Sequence, residues 1–240
     1  MTIHVSVHGI GKPLVLFHGW GFDSNIWCSL LPALTDKHQV YLVDLPGFGL
    51  TSPMDWEMFK VTLLKQLPLS FALAGWSMGG LYATRLALEA PQRVTHLLNI
   101  SSSPHFIKDL TWPGISGHVI KAFYQDLTKD PERILQQFID LQLQGQTLPS
   151  AMLGKKATLF GLSAGLDVLV SWDLRSDIKQ LNMPVCYMFG RLDAIMPQKT
   201  MTKMQAIYPH LNYILFAKAA HAPFLSDPDE FIRSLEGFIQ

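Results

Sequence analysis

Ser77 lies among glycines in GWSMGG, residues 75–80. A serine hydroxyl is a poor nucleophile at neutral pH unless a neighbouring base takes its proton and a third group holds that base in the right tautomer. G-x-S-x-G by itself arises readily by chance, because Gly and Ser are both common. The setting sharpens it. The apolar run FALAG precedes Gly75, and a helical pattern carrying Leu81, Leu86 and Leu88 follows Met78. A strand, a tight turn and a helix would hold Ser77 in strained backbone and expose its hydroxyl for attack on a carbonyl carbon.

Sheets that display a nucleophile on such a turn supply the acid and then the histidine from later loops, each following a strand. His210 precedes the strand-like run NYILFA and His221, in AKAAHAPF, follows it, so His221 is the candidate base. Asp193, in GRLDAIMP, is the first carboxylate after the run PVCYMFG, whereas Asp173 and Asp177 come before it. The alternative for Asp193 is a turn-forming residue whose carboxylate caps nearby amides. The oxyanion of a tetrahedral intermediate needs backbone donors. The Met78 amide is one, and FHGWG, residues 17–21, offers Trp20 as the second. His18 in that loop is expected to stiffen it through side-chain hydrogen bonds rather than to react.

Other motif-like strings lack their context. GFGLTS follows the run QVYLVD, but Ser52 stands where a dinucleotide fingerprint needs its third glycine, and Asp44 precedes the loop. No P-loop, H-E-x-x-H or paired metal-ligand spacing occurs in the sequence. Chemistry without cofactor or metal is the expectation.

The elements that must position these residues read as alternating strands and helices. Ile3, Val5 and Val7 alternate with polar residues before GIGKP and LVLF, a hairpin pattern. QVYLVD, FALAG, VTHLLNIS, PVCYMFG and NYILFA are nearly continuous apolar runs, as expected of parallel strands covered on both faces. Helical patterns cover about 26–34, 56–66, 78–89 and the terminal PDEFIRSLEGFI. The fold class is therefore α/β, a mostly parallel sheet flanked by helices. Between Trp112 and Trp172 no strand pattern is evident, while HVIKAFYQDL and PERILQQFIDLQLQG are helical; Asp130 fits an N-cap, Pro131 the first turn and Gly145 the end. Residues 1–111 and 173–240 thus form the expected core, and 112–172 a helical cap insert that looks shortened near Gly161–Gly165.

The 240 residues are 48% hydrophobic and 16% charged, which suits a packed globular chain. With 19 basic and 19 acidic residues, no net charge points to nucleic acid or an anionic membrane. Cys28 and Cys186 are far apart and read as buried thiols. MTIHVSVHGIG lacks the pattern of a secretory leader, so a soluble cytoplasmic monomer is the expectation.

HGWG, VDLPGFG, GWSMGG, SSSPHF followed by WPGI, and FAKAAHAPF together resemble the α/β-hydrolase superfamily. Within it they resemble the carboxylesterase family that acts on pimeloyl-acyl carrier protein methyl ester in biotin synthesis. The resemblance covers nearly the whole chain and is weakest between about Thr128 and Ser171. It implies Ser77 as nucleophile, Asp193 as acid, His221 as base, Trp20 and Met78 as oxyanion donors, and acyl carrier protein as the partner that delivers the ester. It also implies carrier docking on basic residues of the cap, here Arg133, Lys155 and Lys156, with Gln137 where a further arginine is expected. Phe138, Leu141 and Phe123 could line an acyl pocket or simply pack the cap. Because the base must start neutral, esterase activity should rise from about pH 5 to 8. Rival readings are a general short-chain esterase, a carbon-carbon bond hydrolase on the same scaffold, and a ligand-binding protein without turnover. A haloalkane dehalogenase would need a carboxylate where Ser77 stands.

Overall fold

The apolar runs become strands β1 (Val5–His8), β2 (Lys12–Phe17), β3 (His38–Val43), β4 (Phe71–Trp76), β5 (Val94–Ile100), β6 (Val185–Gly190) and β7 (Asn212–Phe216). The computed structural model describes residues 2–144, 148, 152, 154 and 157–240. The strands form one sheet in the order β1-β3-β2-β4-β5-β6-β7. Every neighbouring pair is parallel except β1 with β3.

The helices are α1 (Leu31–Leu34), which continues a 3-10 segment over Ser24–Leu30, then α2 (Trp56–Gln66), α3 (Met78–Glu89), α4 (Gly117–Lys129), α5 (Pro131–Leu143), α6 (Leu159–Ser171), α7 (Gln198–Ile207), α8 (Pro223–Ser226) and α9 (Pro228–Phe238). They cover both faces of the sheet, and successive strand residues divide between two cores as the twofold side-chain period requires. Val15, Phe17 and Leu73 pack with Phe59 and Leu63 of α2 and Leu81 of α3. Leu14, Leu16 and Ala74 pack on the other side with Trp27, Phe224 of α8 and Phe231 of α9. Double-sided cover explains why β4 and β6 are buried at every position and why their sequences do not alternate.

The expected hairpin is corrected by the sheet order. β1 does not pair with β2; it runs antiparallel to β3, with Val5 opposite Val43, and β3 lies between them. The turn between them reverses the chain but passes over the start of β3: a Cβ on Gly11, at φ +122°, would lie 2.2 Å from the Lys37 carbonyl oxygen. Hydrophobic alternation reports burial and not which neighbour a strand pairs with. Cys28 also departs from expectation, being only half-buried, while Cys186 is buried in β6 and its thiol is pushed up to about 12 by desolvation.

Between β5 and β6 the chain forms α4, α5 and α6. Asp130 caps α5 as expected, accepting the Arg133 amide at 3.2 Å. The left-handed residue ending α5 is Gln144, at φ 47°; the expected Gly145 lies outside the described residues. Gly161 and Gly165 sit inside α6 at points of close approach. A Cβ on Gly161 would lie 2.1 Å from the Gly47 carbonyl oxygen, and one on Gly165 2.7 Å from Trp20 Cδ1. Arg175 ties the two chain crossings together, donating to Asp109 at 2.6 Å and to Asp173, with its guanidinium 5.4 Å from the Trp112 ring centroid.

Candidate active site

Ser77 follows directly on β4 and precedes α3, with φ 54° and ψ −119°. A non-glycine residue in such backbone carries about 1–3 kcal/mol of strain and persists only where its surroundings fix it. Here its amide donates to the Ile100 carbonyl at 2.8 Å, and its own carbonyl accepts from the Gly80 amide at 2.9 Å and from Ser102 Oγ at 2.8 Å. The glycines make room for this turn. A Cβ on Gly75 would lie 2.2 Å from the Gly79 carbonyl oxygen, and one on Gly79 would lie 2.5–2.6 Å from the carbonyl oxygens of His18 and Phe17.

Asp193 leaves the loop after β6 and His221 the loop after β7. Their side chains are fully buried, with His221 Nδ1 and Asp193 Oδ2 2.8 Å apart. Asp193 Oδ1 accepts the amides of Ile195 and Met196, each at 2.8 Å. The carboxylate is thus fixed as an acceptor, as the turn-forming reading anticipated, and its other oxygen meets the histidine. An Nδ1–H donated to Oδ2 leaves the lone pair of a neutral imidazole on Nε2. That nitrogen is buried and has no hydrogen-bond partner among the described residues, so no bond to Ser77 Oγ is made in this state. Contacts of this kind commonly tighten only when substrate binds. His221 is nevertheless anchored beside the serine turn: the indole of Trp76 donates to the His221 carbonyl at 2.8 Å, and the two ring centroids are 5.7 Å apart.

Met78 opens α3, so its amide has no acceptor within the helix. The close approach of Gly79 to the Phe17 and His18 carbonyls sets this helix start against the loop holding Trp20. Trp20 and Met78 share a neighbour, since a Cβ on Gly165 would meet Trp20 Cδ1 at 2.7 Å and Met78 Sδ at 3.0 Å. Both are fully buried. His18 bridges the loop as expected: Nδ1 lies 2.8 Å from the Gly19 carbonyl and Nε2 accepts the Leu45 amide at 2.9 Å. Burial holds its pKa below the ordinary histidine value. Asp44 supports the same corner, accepting the amides of Ser24 and Leu50, each at 2.8 Å.

α4, α5 and α6 enclose with the Asp193 loop a cavity of about 410 Å³. Phe123, Phe138 and Leu141 all line it, and Phe123 and Phe138 also pack edge-on to Trp20, with centroids 5.5 and 5.0 Å away. Pocket lining and packing, which the sequence left open, are both realised. Gln142 was missed by the sequence reading. It is fully buried on α5, four residues after Phe138, and its Nε2 donates to the Trp20 carbonyl at 3.4 Å. A polar residue on the inward face of an amphipathic helix was the available signal. Ser102, which supports Ser77 from beneath, was missed too. Arg133 is exposed, but its charge is shared with Asp130 at 3.1 Å and its Nη1 donates to Gln137 Oε1 at 3.2 Å. Lys155 and Lys156 lie outside the described residues.

The sequence model of the alpha/beta hydrolase family matches residues 14–234. The chain belongs to the alpha/beta hydrolase family. Among relatives of this hydrolase, a Legionella pneumophila (strain Lens) protein named pimeloyl-[acyl-carrier protein] methyl ester esterase is 54% identical over 240 residues, 100% of each chain. An Aliivibrio salmonicida protein of the same name is 37% identical over 251 residues, covering 100% of this chain and 96% of its own. Among solved structures, an esterase from Exiguobacterium antarcticum superposes with a TM-score of 0.89 at 22% identity, over 99% of this hydrolase and 95% of that chain. A bromoperoxidase from Bacillus anthracis gives 0.88 at 24% identity, over 99% and 95%. At such identities these two speak for the fold alone.

Proposed function

We propose that this chain is a serine carboxylesterase that hydrolyses the methyl ester of pimeloyl-acyl carrier protein, releasing methanol, as a step of biotin synthesis. The observation that carries the chemistry is the buried Asp193–His221 pair, held at 2.8 Å and tethered through Trp76 to the strained turn of Ser77. The substrate comes from the name borne by relatives that match the chain from end to end.

In this reading His221 Nε2 takes the Ser77 proton as Oγ attacks the ester carbonyl, and Asp193 steadies the imidazolium that forms. The amides of Met78 and Trp20 receive the oxyanion. The tetrahedral intermediate collapses: the carbonyl re-forms as the C–OCH₃ bond breaks, and methanol leaves with the proton from His221. Water then attacks the acyl-serine by the same route and frees Ser77. The helical insert over 112–172 serves as the cap, and the apolar cavity beneath it takes the acyl chain. Acyl carrier protein approaches Arg133, Lys155 and Lys156, and the enzyme works as a cytoplasmic monomer. No metal or cofactor enters this scheme.

Expression in a bacterial strain lacking its own pimeloyl ester hydrolase tests the proposal. Wild-type protein should restore growth without biotin and Ser77→Ala should not. Hydrolysis of short free esters without rescue would instead favour a general short-chain esterase.

A further inference from the structure

The 410 Å³ cavity is apolar along its length and different at its mouth. At the inner end Phe123 and Phe138 lie against Trp20, which shares Gly165 as a neighbour with Met78, the residue after Ser77. Outward, Val119 and Leu141 are 58% and 45% exposed, which places them at the opening. Among the described residues Lys199 is the one charged residue lining the cavity; it is exposed, and among them it forms no ion pair. It stands in the first turn of α7, where the helix dipole adds positive potential. Gln137 lines the same opening, and Arg133 donates to its Oε1, so the Gln137 group left to a ligand is the amide N–H₂. An apolar slot that ends in an ammonium and an amide donor matches an apolar chain whose far end is an anion.

We propose that the slot accepts carrier-free half-esters of straight-chain dicarboxylic acids, with Lys199 and the Gln137 amide receiving the free carboxylate while the methyl ester reaches Ser77. The enzyme then has a second substrate class besides the carrier-bound ester. The reaction consumes one water: the acyl C–OCH₃ bond breaks, methanol leaves with a proton, and the dicarboxylate is released. This rests on the reading of Ser77 as an ester-cleaving nucleophile, but it does not depend on carrier recognition.

Monomethyl pimelate and dimethyl pimelate separate the charge from everything else, since they differ only at the far end. The ratio of kcat/KM for the half-ester to that for the diester should fall about fivefold in Lys199→Met, the size of a partly exposed ion pair, and Lys199→Arg should restore it. In wild-type enzyme, raising salt should lower the same ratio. An unchanged ratio in Lys199→Met, or a ratio indifferent to salt in wild type, overturns the proposal. Wild-type enzyme inert toward both free esters overturns it as well, while the esterase reading falls only if the carrier-bound ester is left intact too. Cleavage of the diester with no effect of charge strikes the slot alone.

Discussion

The indole N–H of Trp76 donates to the carbonyl of His221 at 2.8 Å, so the residue before Ser77 holds the loop that carries His221. The contact spans 145 residues of sequence and joins β4 to the loop after β7. It makes the position of the histidine a property of the serine turn.

Trp76→Phe removes this donor and leaves the buried His221 carbonyl short of a partner, a loss of about 1–3 kcal/mol. If the contact positions His221 for proton transfer, kcat should fall roughly tenfold with little change in KM. Steady-state kinetics on a soluble ester checks this, and an unaltered kcat would show that the loop holds itself.

Gly79 lets α3 approach β2 so closely that any side chain meets backbone rather than a movable group. Gly79→Ala should cost about 1–3 kcal/mol and lower Tm by several degrees, with kcat reduced because the Met78 amide is displaced. A wild-type Tm in thermal unfolding would mean that the helix start yields more easily than these contacts allow.

Ser102 Oγ donates to the Ser77 carbonyl, which also accepts the Gly80 amide. With one of two donors gone, Ser102→Ala should cost about 1 kcal/mol, read as a several-fold loss in kcat at nearly constant KM. A loss confined to KM would place Ser102 in substrate binding instead.

His18 is buried, with its pKa lowered chiefly by desolvation. The unfolded chain therefore takes up a proton near the ordinary histidine value where the folded chain does not, and this site's contribution to stability is lost progressively as pH falls below about 6.5. NMR titration should find the imidazole neutral, with its proton on Nδ1, at pH 6.5 and still largely so somewhat below. A protonation midpoint at or above 6.5 would contradict the buried bridge between Gly19 and Leu45.

The sheet, the serine turn and the loops that carry Asp193 and His221 were legible because each leaves a local mark. Buried parallel strands read as apolar runs, the elbow needs glycine at 75 and 79, and the loops after PVCYMFG and NYILFA follow from where those runs end. The partner of β1 was not legible, since alternation in Ile3, Val5 and Val7 says nothing about the strand alongside, and Val7 itself is exposed. Ser102 acts through a single hydrogen bond across 25 residues, which no local pattern announces, whereas Gln142, bonded across 122, showed only as a polar residue on the inward face of a helix.

The most direct measurement is mass spectrometry of pimeloyl-acyl carrier protein methyl ester incubated with purified enzyme. Wild-type protein should convert it to the free acid with release of methanol, and Ser77→Ala should slow turnover by at least about a thousandfold while keeping the native circular dichroism spectrum. Comparable turnover by Ser77→Ala, or none by a well-folded wild type, would contradict the account.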